Sequence, residues 1–226
     1  MISMLTGMLK PTDGVANVYG YDVFEHDLDE VRSIMGVCPQ HDILFDLLTP
    51  IEHLKIFQDF KGSKKSRKQS MLEIEKILKD VGIWDMRNTK AKNLSGGSRR
   101  KLSVAIALCG DSKFIMLDEP TSGMDLQARR SLWNMLKAYR NGRIIVLTTH
   151  YMDEADVLGD RIGIMNQGKI VCLGTSLFLK RRFGVGYNLT LVKKHKGKND
   201  AIVEHLETEL GPDIKKLSEI TTEITF

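Results

Sequence analysis

Phe114-Ile115-Met116-Leu117 runs directly into Asp118-Glu119. Four consecutive apolar residues predict a strand buried on both faces. The two carboxylates then stand where that strand leaves its sheet, and open α/β sheets bind ligands beyond the carboxyl ends of their strands. One carboxylate in such a place can hold a magnesium ion directly or through water. A second beside it can orient or deprotonate an attacking water. The plainer alternative is a strand ending in a solvated turn.

Three further stretches repeat the theme. Leu94-Ser95-Gly96-Gly97 opens a helical run from Arg99 through Ala107. A serine and two glycines at a helix start leave backbone N–H groups pointing outward, with room for close approach and a dipole favouring negative charge. The plainer alternative is a serine N-cap. Val146-Leu147-Thr148-Thr149-His150 reads as a buried strand ending in a histidine suited to hydrogen bonding a terminal phosphate, or simply a capped or surface histidine. Val37-Cys38-Pro39-Gln40 is a strand ending in an amide able to touch a metal or a water. Each signal alone is modest; together and in this order they specify far more.

The elements that must position these groups alternate between strand and helix periods, which predicts an α/β domain with a largely parallel sheet. The reading is helix 2–9, strand 15–19, helix 27–33, strand 34–38, helices within 50–107, strand 114–117, helix 126–139, strand 143–148 and helix 152–158. A hairpin over 161–172, a helix over 176–183, a strand over 187–192, a helix over 201–210 and a strand over 220–226 complete it. Within the helical stretch, Met71 to Val81 shows one apolar face. The run Lys61-Gly62-Ser63-Lys64-Lys65-Ser66-Arg67-Lys68 reads as a solvated loop, an anionic partner being the sharper alternative. Composition shifts after Gly174, and a boundary is expected near 174–184.

Composition narrows the class. Hydrophobic residues are 42% and charged residues 27%, ordinary for a globular chain. A net charge of +4 demands neither nucleic acid nor an anionic membrane. Cys38, Cys109 and Cys172 are an odd count without metal spacing, and read as buried free thiols in a reducing compartment. No apolar run approaches the roughly 18–20 residues of a membrane helix.

In this order, Gln40, Leu94 to Ser98, Asp118-Glu119, Ser122-Gly123-Met124-Asp125 and His150 resemble the ATP-binding cassette (ABC) family, specifically a transporter nucleotide-binding domain. The likeness runs over roughly residues 1–192. Leu94 to Ser98 is similar to the family signature, Phe114–Glu119 to the Walker B strand, Ser122–Asp125 to the D-loop, Gln40 to the Q-loop and His150 to the switch histidine. The stretches 39–46, 100–107, 149–156 and 183–191 resemble subfamily A, the lipid-handling exporters.

The resemblance implies an α/β, P-loop NTPase-like ABC ATPase core over 1–174. It implies a helical signature subdomain at about 43–107, with a connecting helix and the start of a small C-terminal regulatory α/β extension over 175–226. It implies ATP and Mg2+ as ligands, with Asp118 and Gln40 toward the metal. Glu119 becomes the general base, and His150 the contact to the γ-phosphate. Ser95, Gly96 and Gly97 would face the nucleotide held by a second cassette in a head-to-tail dimer, with Asp125 organising that interface. Membrane domains of the same polypeptide, a lipid substrate reached through them and a place on the cytoplasmic face of a membrane follow; nucleic acid is not expected. The family's phosphate loop, G-x-x-x-x-G-K-[S/T], does not occur in these 226 residues, since Gly168-Lys169 precedes Ile170 and Gly197-Lys198 precedes Asn199. Met1 to Gly7 resembles the helix after that loop, so the chain is expected to begin just beyond it and to be inactive alone. A soluble, non-transport ABC protein, or a non-catalytic module that pairs with an intact cassette, stays open.

Overall fold

The computed structural model describes residues 2–24, 27–184, 189–192, 204–206, 208–209, 218–219 and 223–225. The chain divides into two compact units, Met1–Ile162 and Gly163–Phe226. The boundary suggested by composition at 174–184 falls inside the second unit.

The first unit begins with α1 (Ile2–Leu5), the short antiparallel pair β1 (Asn17–Val18) and β2 (Tyr21–Asp22), α2 (Leu28–Ile34) and β3 (Met35–Cys38). The expected 2–9 helix stops at Leu5, and Gly7 follows at φ +72°. The expected 15–19 strand is instead a ribbon of two, turned by Tyr19 and Gly20 at φ +54° and +88°. Three helices come next: α3 (Pro50–Phe60), α4 (Arg67–Asp80) and α5 (Gly96–Leu108). Thr49 and Glu52 form a capping box at the start of α3, with Pro50 in its first turn. Ser66 and Gln69 form another at the start of α4, so this helix begins inside the basic run. Lys65 pairs with Glu73 and Asp111, at 2.8 and 2.7 Å. Lys61 Nζ donates to Cys109 O and Ser112 Oγ, at 2.9 and 2.6 Å. The run is therefore in part a set of internal ties rather than a wholly solvated loop.

Then come β4 (Phe114–Asp118), α6 (Leu126–Tyr139), β5 (Ile144–Thr148) and α7 (Met152–Leu158). The β5 strand, expected to be buried, is only partly covered, because among the described residues it pairs on one side alone. The central sheet is parallel in the order β3-β4-β5. Its middle strand splits the core in two. Ile115 and Leu117 join a cluster with Leu102, Val104 and Leu108 of α5. Phe114 and Met116 join Val31 of α2 and Met35 on the other side. That alternation is the period-2 pleat of a strand covered on both faces. Gly36 of β3 permits the close approach of α5, because a Cβ there would sit 1.8 Å from Ala107 O.

The second unit holds the partner strand of β6 (Ile162–Asn166), namely β7 (Lys169–Gly174), then α8 (Ser176–Phe183) and β8 (Thr190–Val192). Gln167 and Gly168, at φ +48° and +77°, make the two-residue turn between β6 and β7. Strands β9 (Ser218–Glu219) and β10 (Glu223–Thr225) complete an antiparallel sheet in the order β8-β10-β9. Residues 204–206 and 208–209 are helical; the other half of the expected 201–210 helix and parts of the expected strands at 187–192 and 220–226 lie outside the described residues. Among the described residues no helix is long and apolar enough to cross a membrane.

Candidate functional site

The parallel register places Asp118 beside Thr148 at the ends of β4 and β5. Thr148 Oγ1 donates to Asp118 Oδ1, which fixes that carboxylate and leaves its other oxygen for a ligand. The chain then turns sharply. Glu119 has φ +48°, a left-handed conformation rare for a side chain of this size. Its N–H donates to Thr148 O and Oγ1, at 3.1 and 3.2 Å. Ser122 N–H returns to Glu119 O at 3.1 Å and Met124 N–H to Thr121 O at 3.2 Å, closing a tight loop over 119–124. Backbone strain persists only where its surroundings enforce it, and it gathers at functional sites.

His150 leaves β5 two residues after Thr148, and its Nδ1 lies 3.3 Å from Glu119 Oε1. The imidazole is 54% exposed and the carboxylate 25%, so both are open to solvent. The Tyr151 ring stands 4.0 Å from the imidazole. Arg129 of α6 lies 3.8 Å over the far ring of this stack and donates to Tyr151 Oη at 2.8 Å. Arg129 Nε also donates to Met124 O at 3.0 Å, so one side chain joins the 119–124 loop to the histidine stack. Asp125 accepts from Ala128 N–H at 2.9 Å as the N-cap of α6, and that bond lowers its carboxyl below the usual range.

Gln40 lies two residues past β3, on the other side of β4, and is exposed. Its backbone carbonyl accepts from Arg100 of α5, at 3.2 Å. The same guanidinium donates to Pro39 O at 2.6 Å, Glu119 O at 2.9 Å and Asp118 O, so it bridges the ends of β3 and β4. Ser95 is the N-cap of α5; its hydroxyl accepts from Ser98 N–H at 3.2 Å. No hydrogen bond or ion pair among the described residues joins Ser95–Gly97 to Glu119 or His150. A Cβ at Gly96 or Gly97 would meet nothing within 4 Å. Packing within this chain therefore places no demand for glycine at either position.

The structure thus brings Asp118, Glu119 and His150 together, reaches Gln40 through Arg100, and sets Ser95–Gly97 apart at a helix end. Arg100, Thr148, Tyr151 and Arg129 belong to the arrangement without having been singled out by residue type. Arg100 sits in a helical run that reads as apolar and charged faces; Thr148 and Tyr151 flank a histidine that drew the attention. No group of three or more His, Cys, Asp or Glu among the described residues could enclose a metal. An oxygen set of Asp118 and the Gln40 amide suits Mg2+, which takes few protein ligands and completes its shell with water and phosphate. The fold and the site define an ATP-binding cassette.

A family model described as ABC transporter matches residues 1–122, and the chain belongs to that family. It is 54% identical over 195 residues to the retinal-specific phospholipid-transporting ATPase ABCA4 of Homo sapiens, covering 86% of this chain and 8% of that protein. It is 51% identical over 193 residues to the phospholipid-transporting ATPase ABCA3 of Homo sapiens, 85% of this chain and 11% of that one. The chain therefore spans about a tenth of the length of these relatives. Among solved structures it is similar to an ATP-binding subunit of an ABC transporter, with a TM-score of 0.73 at 21% identity over 91% of this chain and 81% of the other. It is also similar to a cassette solved as a post-hydrolysis dimer bound to ADP and Pi, with a TM-score of 0.69 at 25% identity over 77% of this chain and 78% of that one.

Proposed function

We propose that this chain supplies the Walker B and switch residues of one ATP-hydrolysing site, and the signature of a second site on a partner cassette, in a membrane transporter that moves phospholipid. The observation that carries the catalytic part is the meeting of Glu119 and His150 at 3.3 Å beside the fixed carboxylate of Asp118. Glu119 takes a proton from the attacking water as general base. His150 holds the γ-phosphate through its outward face, and its contact with Glu119 keeps that carboxylate oriented. Asp118 and Gln40 would hold Mg2+, whose charge offsets that of the phosphates. The chemistry is positioning plus charge stabilisation, with no covalent step asked of the protein.

Ser95, Gly96 and Gly97 serve a nucleotide bound to a second cassette. Two glycines with open space around them at a helix N-terminus suit close approach by phosphate from another molecule. The dimeric state of a similar cassette supports pairing with a second cassette, which we place head to tail. The lipid substrate rests on the phospholipid-transporting ATPases to which the chain is similar. These 226 residues contain no lysine-bearing phosphate loop, so by themselves they bind ATP weakly and do not turn it over. Membrane placement and transmembrane domains belong to the whole transporter.

The test is Glu119→Gln in the intact transporter. ATP remains bound with near-normal affinity while hydrolysis falls by about two orders of magnitude or more. Near-normal turnover would remove Glu119 from its role as base.

A further inference from the structure

Arg100 is the fifth residue of α5 and only 4% exposed, in a helix whose 102–108 stretch is wholly buried. A buried guanidinium is tolerated only when its N–H groups are satisfied. Here all three nitrogens are engaged. Nη1 donates to Pro39 O, Gln40 O and Asp42 Oδ1, at 2.6, 3.2 and 3.1 Å. Nη2 donates to Asp118 O and, at 2.9 Å, to Glu119 O. Nε donates to Pro120 O at 3.2 Å. Asp42 is itself held by Ser103 Oγ at 2.8 Å, one turn further along α5. Five of the six acceptors are backbone carbonyls, and they come from the two loops that leave β3 and β4.

We propose that Arg100 is a positioning residue for Glu119, setting the direction of the general base from the helix that carries Ser95–Gly97. It grips the carbonyls of Asp118 and Glu119, one on each side of the Glu119 Cα. Those two peptide planes define the left-handed turn that aims the carboxylate at His150. The same fork holds the carbonyl of Gln40, so the two loops respond as one body to α5. A shift of α5 as a second cassette meets Ser95–Gly97 is thereby passed to the base and to Gln40 together. A lysine ammonium retains the charge but lacks the planar fork that spans both loops. This inference rests on the ATPase reading above.

The experiment uses the intact transporter with Arg100→Lys and Arg100→Ala, beside wild type and Glu119→Gln. Turnover is normalised to folded protein, and kcat and KM for ATP are measured separately. Arg100→Lys is expected to lower kcat at least tenfold with KM within about threefold. Millimolar guanidinium is expected to restore several-fold turnover to Arg100→Ala, and methylammonium is not. Hydrogen exchange on the same preparations needs no activity. In Arg100→Lys, amides at 119–124 should exchange at least tenfold faster while those at 115–117 stay unchanged. Wild-type kcat in Arg100→Lys, or exchange that accelerates uniformly across the sheet, overturns the proposal. An inactive wild type, or an active Glu119→Gln, counts against the ATPase reading instead, and the exchange pattern then still decides the role of Arg100.

Discussion

Glu119 and His150 come from loops that follow neighbouring parallel strands, and their side chains meet with Oε1 3.3 Å from Nδ1. They sit one and two residues past the Asp118–Thr148 register pair, so strand pairing brings the two residues close and the left-handed turn at Glu119 aims its carboxylate. The Tyr151 ring and the Arg129 guanidinium then brace the imidazole from behind. In the intact transporter, His150→Ala is expected to cut ATP hydrolysis by about two orders of magnitude with ATP affinity changed only a few-fold. Single-turnover and binding measurements on the same protein separate the two quantities.

Gly36→Ala tests the seat of α5. The added methyl would stand 1.8 Å from Ala107 O, a backbone atom of α5 that cannot rotate away. Overpacking of this kind costs about 1–3 kcal/mol or more. Denaturant unfolding of the chain should show a stability loss of that size, read as a lower midpoint with an unchanged slope.

Acid should weaken the fold through His53. This side chain is fully buried; Phe45 N–H donates to its Nε2, and its Nδ1–H donates to Thr49 O, both at 2.9 Å. Burial holds its pKa below the usual 6.5, with Arg99 adding to the effect and Glu52 and the Thr49 bond opposing it. In the window from 6.5 down to the folded value, the unfolded chain binds the extra proton, so stability rises with pH there and is lost as pH falls. The melting temperature of wild type should drop below pH 6.5. Its advantage over His53→Gln, which cannot titrate, should narrow over the same range; a constant gap between the two would exclude His53 as the cause.

The sequence predicts three buried thiols, but Cys172 is partly exposed, so the thiols should separate into two groups. Burial pushes Cys38 up to about 12 and Cys109 up to about 11, whereas Cys172 is partly exposed. A thiolate is the reactive form, so both buried thiols are protected by access and by ionisation. A thiol-specific reagent at pH 8 should modify Cys172 quickly in the folded chain, and Cys38 and Cys109 only after denaturant is added.

Local chemistry carried much of this reading. The apolar run 114–117, the Pro50 helix start and the Ser95 cap depend on neighbours within a few residues, so they were legible from sequence order. The same locality allowed misses. The capping box of Ser66 and Gln69 starts α4 inside a run that charge alone marked as loop. Tyr19 and Gly20 turn a single expected strand into a ribbon. Type and order of residues also determined the family, because Gln40, Ser95–Gly97, Asp118-Glu119 and His150 are side-chain identities. What only the tertiary structure decided was which of them touch. Parallel pairing of β4 and β5 joined Glu119 to His150 across 31 positions of sequence. Arg100 found carbonyls at 39–40 and 118–120, and a carbonyl looks the same at every residue, so no reading of side-chain types could have located its partners.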